Sequence, residues 1–464
     1  MTPIQISGDK QLFLDDLLVD SWQGMALCMN PPVKRGPAVV ADRPWEGTRV
    51  GASVSVLEDE GVYKLYYDTI DSQQQYHFAY AVSTDGADWE KPSLGLVEYQ
   101  GSRDNNLLPV DACGTVFVDP LAPPEQHYKY ITEHDHRGIY AYWSADGLHW
   151  ERTAEAVLPL SPDAQNQAFW DVRLGRYVMY MRGWAENRRT VIRDETDNLL
   201  APWPYQPREQ RAGLWGDRLD PPTTELPIVL ACDEQDPTDV DFYDPSVVQY
   251  LPDAYLSFPS AYRRWPEPPV GKRSTDGLLD IQMATSRDGI AWQRRERRAY
   301  VPLGLEGEPD SQQIYMAVGM IRHGDYLYQY YTGYDWSHGD ESTERHPFTG
   351  ALVRLQQRVD GFVSADAEYT GGTLTTKPLV FAGRRLELNL DASALGIARV
   401  ALLDEAGQVL PGYGLEDCDL LEGNHVAQTV TWRGQPGVAP LAGRPVRLRF
   451  EMRATKLYAF QFVS

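Results

Sequence analysis

Runs in which apolar and polar positions alternate fill most of this chain, and no long run has the spacing of an amphipathic helix. Five of the runs share a pattern: a small or turn-forming residue, then Tyr, then an apolar-aromatic stretch. They begin at Gly61, Gln126, Gly175, Asp253 and Gly324. Aromatic and β-branched residues in short alternating runs are typical of half-buried strands. The pattern therefore predicts an all-β protein.

A second repeat has the form S-x-D-G-x-x-W and occurs at Ser83–Trp89, Ser144–Trp150 and Ser286–Trp292. Asp-Gly favours a tight turn, because the carboxylate accepts backbone N–H bonds and Gly tolerates positive φ. The Trp is a large apolar plate that can lie between neighbouring sheets. Each copy follows a strand-like run, so we predict a turn between two strands and a structural role for the three aspartates.

Five repeats of about four short strands predict a five-bladed β-propeller. We assign residues 1–368 to this propeller, with residues 1–45 as an N-terminal extension whose strand closes the ring. Beyond this point the aromatic repeats stop and alternating strands follow. Residues 369–464 are predicted to form a C-terminal β-sandwich that acts as an accessory domain.

The strand order fixes which loops can surround a ligand. If the Asp-Gly turns join third and fourth strands, the links between blades and the loops between second and third strands lie at the opposite end. Ligands of propellers usually bind there. The link 200–240 is long and Pro-rich, and the long loops 263–277 and 334–349 are expected to narrow the mouth of an axial pocket.

Composition excludes several classes of function. The net charge of −23 and the pI of about 4.8 argue against a nucleic-acid or anionic-membrane partner. The first residues lack the pattern of a signal peptide, and no apolar run could span a bilayer, so a cytoplasmic protein is expected. The four cysteines are widely separated and suggest neither zinc nor redox chemistry. No cofactor is expected; a structural calcium ion is compatible with the sequence but not indicated. The oligomeric state is left open.

With these features the chain resembles the glycoside hydrolases related to families 32 and 43, and in particular a bacterial family-32-like group with a C-terminal β-sandwich. The runs Asp104-Asn105-Asn106, Phe258–Arg263 and Tyr331–Asp335 support the resemblance. It covers essentially the whole chain. It implies a five-bladed propeller that acts as a glycosidase on a carbohydrate substrate.

The sequence departs from family 32 where that family carries its catalytic acids. The Asn-Asp-Pro motif expected at the first inner strand is replaced by Trp45–Val50, which contains no Asp. The region of the expected Arg-Asp-Pro motif reads Gln165-Asn166-Gln167, and that of the Glu-Cys motif lies near Asp241–Pro245. No catalytic residue transfers by motif.

Cleavage of a glycosidic bond needs two carboxyls that flank it, one protonated and one ionised. We therefore selected acids near the starts of the inner strands or near the mouth. The predicted catalytic residues are Asp241, Asp310, Asp280 and Glu46. Polar residues of the neighbouring loops are predicted to bind substrate; these are Arg49, Asp163, Asn166, Arg182, Asp244, Gln312, Asp335 and His338. No metal site is predicted.

These residues predict a glycoside hydrolase that cleaves a small glycoside or an oligosaccharide end in an axial pocket. Two alternatives stay open. A non-catalytic carbohydrate-binding propeller would account for the missing motif acids. A glycoside phosphorylase would use the arginines around Arg182 as an anion site.

Overall fold

The computed structural model describes residues 2–47, 49–205, 219, 222–223, 225–267, 275–340 and 350–464. Over these residues the chain is all-β, and the helical segments are the short 3₁₀ turns Pro44–Glu46, Pro124–Gln126 and Ala439–Leu441. The chain forms two compact units. One contains Met1–Pro31 together with Gln357–Ser464, and the other is Pro32–Gln356.

The strands are numbered in chain order. Those of the first segment are β1 (Ile4–Ser7), β2 (Gln11–Leu12), β3 (Val19–Gln23) and β4 (Met25–Met29). Those of the central unit are β5 (Val33–Val39), β6 (Arg49–Asp59), β7 (Val62–Ile70), β8 (Tyr76–Ser83), β9 (Leu107–Leu108), β10 (Thr115–Val118), β11 (Tyr128–Glu133), β12 (Ile139–Ser144), β13 (Glu151–Arg152), β14 (Gln167–Asp171), β15 (Arg176–Ala185), β16 (Arg188–Thr196), β17 (Ile228–Leu230), β18 (Val240–Phe242), β19 (Val247–Leu251), β20 (Ala254–Ser257), β21 (Ser260–Arg264), β22 (Gly277–Ile281), β23 (Ala284–Ser286), β24 (Trp292–Gln293), β25 (Gln313–Met316), β26 (Ile321–His323), β27 (Tyr326–Tyr334) and β28 (Ala351–Arg358). The last strands are β29 (Val363–Ala367), β30 (Gly372–Thr376), β31 (Leu379–Phe381), β32 (Arg385–Leu403), β33 (Leu421–Thr429), β34 (Arg447–Arg453) and β35 (Thr455–Val463).

The central unit contains four four-stranded sheets, each built from strands that follow one another along the chain. Their orders are β6-β7-β8-β9, β10-β11-β12-β13, β14-β15-β16-β17 and β19-β20-β23-β24. The pairs within them are antiparallel. Up-and-down sheets of this kind are typical of propeller blades. The arrangement is propeller-like.

The remaining strands of this unit form an eight-stranded sheet in the order β18-β21-β22-β25-β27-β28-β5, with β26 also paired to β27. Its outermost strand, β5, comes from the N-terminal side of the chain and pairs antiparallel with β28. This is the pairing expected of an N-terminal strand that completes the last sheet.

The first strands of successive sheets are joined by hydrogen bonds. The bonds run from Val116 N to Ser55 Oγ (3.2 Å), Gln165 Nε2 to Gly114 O (3.1 Å), Val247 N to Gln167 Oε1 (2.6 Å), Ser246 Oγ to Ala317 O (2.8 Å) and Val56 N to Val318 O (2.9 Å). The last bond connects the eight-stranded sheet back to β6. The sheets therefore follow one another in a closed ring.

The three Asp-Gly turns have one geometry and connect third to fourth strands, as predicted. In the first copy, Ser83 Oγ accepts from Gly86 N at 2.8 Å, and Asp85 Oδ1 accepts from Ala87 N at 2.8 Å. Gly86 has φ +69°. These N–H bonds hold the pKa of Asp85 below its usual range. The aspartates of the repeats are structural.

The other unit contains a nine-stranded, barrel-like sheet in the order β3-β30-β34-β32-β35-β29-β4, to which β2 and β33 are paired. Strands β1 and β31 form a separate parallel pair. Phe13 packs against Phe450 and Phe460 with ring centroids 6.5 and 5.8 Å apart. The alternating runs 384–390 and 399–403 predict two separate strands, whereas β32 runs without a break. Its first half pairs with β35 and its second half with β34.

The two compact units divide the chain differently from the expected boundary at 368–369. Strands β1 to β4 pair with β29, β30, β31 and β35, so only the end of the expected extension, β5, belongs to the propeller-like unit. The C-terminal strands share one hydrogen-bonded sheet with the N-terminal strands β2 to β4. Parts of the three long connections, residues 206–218, 268–274 and 341–349, lie outside the described residues.

Candidate functional site

Polar side chains gather where the first strands of successive sheets begin. Ser53 lies in a bulge of β6, Cys113 precedes β10, Gln165 and Asn166 precede β14, and Asp244 lies between β18 and β19. This end of the ring is opposite to the Asp-Gly turns. It is the end at which a ligand was expected.

Asp68 contacts Ser53 and Cys113 of this region, although it belongs to the second strand of its sheet, β7. The register of β6 and β7 shifts between Val50 and Val54, and Gly51 leaves the space that the Asp68 carboxyl fills. A Cβ at Gly51 would come within 2.3 Å of Asp68 Cγ. Ser53 N donates to Asp68 Oδ1 at 2.8 Å. Burial nevertheless raises the pKa of Asp68 to about 7.

Cys113 connects Asp68 to the next part of the site. Its Sγ donates to Asp68 Oδ2 at 3.4 Å, and its backbone has a left-handed φ of +68°. Burial, followed by the charges of Asp68 and then of Asp244, raises the pKa of the thiol well above its usual value. Cys113 therefore stays protonated and lies near both carboxyls.

Asp244 is the second buried carboxyl of the cluster. Burial raises its pKa to about 6, although the positive charge of Arg182 acts in the opposite direction. Arg182 is 0% exposed, and its guanidinium lies over the Tyr243 ring at 4.6 Å. Its Nη2 donates to Asp163 Oδ2 at 2.9 Å, which fixes the guanidinium beside Asp244.

Asp241 is held by Arg189, which reaches it from the neighbouring sheet. Asp241 Oδ2 accepts from Arg189 N at 3.2 Å and from Nη1 at 3.4 Å, and Asp241 is fully buried. The Arg189 guanidinium lies over three rings, at 4.7 Å from Trp184, 5.0 Å from Tyr243 and 5.1 Å from Tyr262. We call Asp68, Asp241, Asp244, Arg182 and Arg189 the aspartate–arginine cluster.

Several buried polar atoms in and beside this cluster have no hydrogen-bond partner within the described part of the chain. The acceptors are Asp241 Oδ1, Asp244 Oδ1 and Asn166 Oδ1, and the donors are Arg182 Nη1 and Arg189 Nε. Buried polar atoms in native proteins are nearly always paired, so such a group calls for an explanation. A polyhydroxylated ligand could pair with all of these atoms, because each hydroxyl both donates and accepts a hydrogen bond.

Aromatic rings border the cluster on the side of the eight-stranded sheet. His338 lies 5.0 Å from the Tyr243 ring and 4.8 Å from the Tyr262 ring, and its Nδ1 is 2.9 Å from the Tyr315 hydroxyl. Arg49 lies 5.7 Å above the Trp336 ring. Thus His338 and Arg49, both predicted to bind substrate, lie beside aromatic faces.

Glu46, a predicted catalytic residue, has a structural environment instead. It is 0% exposed and accepts from Lys91 Nζ at 2.8 Å, from Tyr67 Oη at 2.8 Å and from two backbone N–H groups. Each carboxylate oxygen has a protein partner. These contacts tie Glu46 to Lys91 and Tyr67 and do not bring it to the acids described above.

Asp310 is likewise not brought to the cluster. Its Oδ2 forms an ion pair with Lys34 Nζ at 2.6 Å and accepts from Tyr331 Oη at 2.5 Å. Lys34 belongs to β5, the outermost strand of its sheet. Asp310 thus joins the outer strand to β27, and the expected convergence of Asp310 with Asp241 is not observed.

Asp280 lies on the face of β22 that points away from the aromatic rings of Tyr262 and Trp336. Side chains of a strand alternate between faces, and Leu279, its neighbour in β22, packs with Tyr262 and Trp336. Burial alone raises the pKa of Asp280 to about 6. Its titration is perturbed, but it is not part of the aspartate–arginine cluster.

The other predicted binding residues differ in their positions. Asp163 pairs with Arg182, and Asn166 is buried beside the cluster. Gln312 is half-buried, and its backbone bonds to Tyr334 and Leu279. Asp335 follows the end of β27 and is half-buried.

Asp68 and Cys113 were missed by the sequence reasoning. Asp68 is the only acid in the apolar-aromatic run of β7, and the positions from Leu65 to Ile70 are all buried in the structure. Acids are rarely buried without a partner or a role, so this position was a signal in the sequence. It was passed over because only acids near strand starts were considered, and the bulge in β6 beside Asp68 has no local sequence motif.

Among the described residues, no three His, Cys, Asp or Glu side chains are grouped so as to hold a metal ion. No helix in the same part of the chain is long and apolar enough to cross a membrane.

No family model matches this chain, and no curated protein matches it by sequence. Solved structures do show a likeness. One is the α-L-arabinofuranosidase PaAbf62A from Podospora anserina in complex with cellotriose, at 12% identity and TM-score 0.45, covering 71% of this chain and 96% of that chain. A thermostable family-43 glycoside hydrolase has 13% identity and TM-score 0.42, covering 70% of this chain and 92% of that chain. A third belongs to the GH130 glycoside hydrolases that target β-1,2-mannosidic linkages in Candida mannan. It has 14% identity and TM-score 0.42, covering 75% of this chain and 97% of that chain. All three act on carbohydrates, but at these TM-scores the likeness does not decide the reaction of this chain.

Proposed function

We propose that the chain is a glycoside hydrolase of the family-32/43-like type that cleaves a small glycoside or an oligosaccharide end. The proposal is supported by two buried carboxyls, Asp68 and Asp244, that lie near the same thiol and have raised pKa values of about 7 and about 6. A pair of carboxyls with separated pKa values is what acid–base cleavage of a glycosidic bond requires.

The environments suggest a role for each acid. Asp68, with the higher pKa, is the general acid that gives its proton to the leaving glycosidic oxygen. Asp244 lies beside Arg182, which favours its ionised form at neutral pH. It is the carboxylate that attacks the anomeric carbon or takes a proton from the attacking water. Asp241, a predicted catalytic residue, is proposed to bind substrate hydroxyls through its unpaired Oδ1.

The observation on which this proposal depends is the set of unpartnered buried atoms around these acids. Sugar hydroxyls each donate and accept, so they can pair with Arg182 Nη1, Arg189 Nε and the three unpaired oxygens together. The Tyr243 and Tyr262 rings hold the Arg189 guanidinium in place beside these atoms.

We also propose that the ring of sheets is a five-bladed propeller. In this interpretation the fourth blade has split strands, with β18 and β19 as its inner strand and β21 and β20 as its second. The fifth blade is then β25 and β26, β27, β28 and β5. We also propose that the sheet of the other unit derives from a β-sandwich. The first half of β32 pairs with β35 and its second half with β34, as if one strand took part in both layers.

A glycoside phosphorylase is the second candidate. The unpartnered guanidinium nitrogens of Arg182 and Arg189 favour it, because phosphate prefers such donors. The two reactions differ in the product: a phosphorylase releases a sugar 1-phosphate only when inorganic phosphate is present.

The test is a screen of aryl glycosides and plant or algal oligosaccharides, with and without phosphate, followed by variants on the substrate found. Asp68→Asn and Asp244→Asn should each lower kcat by at least about 100-fold, the usual scale for loss of an acid or base. Asp280→Asn is the matched control, since it removes another carboxyl with a raised pKa outside the cluster. It should leave kcat within about twofold.

Near-normal turnover by both Asp68→Asn and Asp244→Asn would overturn the assignment. If the wild type binds oligosaccharides but cleaves none of them, the alternative of a carbohydrate-binding propeller replaces the enzyme.

A further inference from the structure

A cavity lies between the first two sheets of the central unit, and none of the residues of the aspartate–arginine cluster line it. It has a volume of about 670 Å³, and strands β8, β9, β12 and β13 contribute to its lining. Small-molecule sites usually have volumes of about 300–1,000 Å³. The cavity is thus of the size for a small ligand.

The lining of this groove is amphipathic. Apolar contact comes from Leu96, Val97 and Trp150, among others, while Glu98 and Arg152 add charge at the solvent side. Arg152 lies 4.8 Å above the Tyr140 ring and 5.9 Å from the Tyr142 ring. Sugars combine apolar C–H faces with polar edges, so a groove with both kinds of surface suits them.

The polar side chains of the groove are already oriented. Asp111 Oδ2 accepts from Tyr142 Oη at 2.5 Å and lies 2.7 Å from His134 Nδ1. His77 Nε2 lies 3.1 Å from Asp71 Oδ2. These contacts fix the rings, so a ligand that binds them does not have to order them.

Tyr76 connects the groove to the candidate active site. Its side chain lines the groove and is 58% exposed. In the β7–β8 pairing Tyr76 is opposite Ile70, so its side chain lies on the same face of the sheet as Asp68, two positions away on β7. Tyr76 thus lines the groove and neighbours the proposed general acid, and a chain bound at the acid can continue past Tyr76.

We propose that this groove binds the sugar units of an oligosaccharide substrate that extend beyond the bond being cleaved. The inference rests on the proposed function and adds to it: the preferred substrate is a chain of several units rather than a small glycoside. Recognition uses stacking on exposed aromatic rings and hydrogen bonds to Glu98 and Arg152.

The test compares two variants of the groove with a matched control. Arg152→Ala removes a guanidinium that is stacked on tyrosines within the groove. Arg354→Ala removes one that is stacked 4.5 Å above Tyr328, outside it. Pro109→Trp fills the groove from an exposed position that lines it. Pentasaccharides and the aryl monoglycoside of the sugar found in the screen are the probes.

Arg152→Ala and Pro109→Trp should raise KM for the pentasaccharide about five- to tenfold, the effect of losing roughly 1–1.4 kcal/mol of binding. The kcat/KM for the aryl monoglycoside should stay within about twofold, and Arg354→Ala should change neither. If the groove variants affect long and short substrates equally, the groove proposal fails while the proposed function stands.

If no glycoside is cleaved, the groove proposal is tested by measuring oligosaccharide binding instead of turnover. Titration of arabino-, xylo-, manno- and cello-pentaose, followed by Trp fluorescence, should show an affinity that Pro109→Trp abolishes and Arg354→Ala preserves. The groove proposal then survives the failure of the enzyme. Equal binding by the wild type and Pro109→Trp, or no binding by the wild type, overturns it.

Discussion

At the scale of single residues, Asp68 and Asp85 show opposite uses of a carboxyl. Asp85 accepts backbone N–H bonds at a turn, and its pKa is lowered by them. Asp68 is buried, and its pKa rises to about 7 because burial disfavours the charge more than the Ser53 N–H and the Cys113 thiol favour it. The first carboxyl stabilises the fold in its charged form, whereas the second destabilises it.

This difference predicts how stability depends on pH. The unfolded Asp68 loses its proton near its ordinary pKa of 3.8, whereas the folded one keeps it to about 7. The folded state therefore binds more protons between these values, and stability falls as the pH rises across this window. Asp68→Asn, which carries no charge, should be more stable than the wild type above pH 7, and the gain should shrink as the pH falls towards 4.

Thermal unfolding of both proteins at several pH values measures this gain. Asp85→Asn is the comparison and should be less stable than the wild type at neutral pH, with a deficit that shrinks as the pH falls through the lowered pKa of Asp85. A loss of stability in Asp68→Asn at pH 8 would contradict the burial of an uncompensated charge.

Residue chemistry alone separated the candidate acids only in part. Asp241 and Asp244, both named from the sequence, lie in the aspartate–arginine cluster, whereas Asp68 was not named. The Asp-Gly aspartates were assigned correctly to structure, because a local motif determines their bonds. Glu46 and Asp310 were selected for their place near strand starts, yet each is paired with a lysine that is distant in the sequence, Lys91 and Lys34. Such pairs depend on which strands become neighbours, and spacing along the chain does not encode that.

At the scale of elements, the bulge in β6 determines the candidate site. Asp68 lies opposite the irregular segment between Val50 and Val54, where Gly51 leaves room for its carboxyl and Ser53 N donates to it. Bulges recur beside active sites because they re-aim a neighbouring side chain. Here the bulge gives the carboxyl of a second strand access to Cys113, at the start of the next sheet.

Gly51→Ala tests this role. Its Cβ would lie 2.3 Å from Asp68 Cγ, so the carboxyl must move. We expect kcat to fall at least about tenfold with a smaller change in KM, because the acid is displaced rather than the binding surface. Gly437→Ala is the control, since its added methyl meets nothing within 4 Å.

The double variant Gly51→Ala with Asp68→Asn makes the test specific. If the glycine acts through Asp68, the double variant should be no slower than Asp68→Asn alone. Additive losses in kcat would mean that the methyl group disturbs something else.

At the scale of the whole molecule, the same tyrosine bond recurs between neighbouring sheets of the ring. Tyr180 Oη donates to Gly289 O at 2.8 Å, and Tyr330 Oη donates to Gly86 O at 2.6 Å across the seam between the last and the first sheet. Tyr66 has the equivalent place over Gly147, but its hydroxyl finds no partner in the described part of the chain.

This series predicts the stability of the seam. Tyr330→Phe and Tyr180→Phe should each cost about 0.5–1.5 kcal/mol in urea unfolding. Tyr66→Phe should cost nothing or be slightly stabilising, since it removes an unpaired buried hydroxyl. If only Tyr330→Phe were neutral, the ring would be open at its seam in solution.

Repeats made the ring of sheets predictable, because each aromatic run and each Asp-Gly turn carries its own strand signal. The membership of the N-terminal strands was not predictable. β3 pairs with β30 and β2 with β35, more than 350 and 440 positions later in the chain, and nothing in a short alternating run specifies so distant a partner. The prediction divided β32 into two strands for the same reason, because the continuity of this strand depends on its pairing with β35 and β34.

The Cys113 thiol gives the protein a vibrational reporter inside its proposed catalytic centre. The S–H bond absorbs in a part of the infrared spectrum that only the four cysteine thiols of this chain occupy, and its frequency falls as the acceptor becomes more negative. Because Sγ donates to Asp68 Oδ2 and the thiol stays protonated, the Cys113 band follows the charge of that one carboxyl. With a Cys113→Ser spectrum to identify this band, Asp68 can be titrated optically in the unlabelled protein, and its proton followed while a substrate binds.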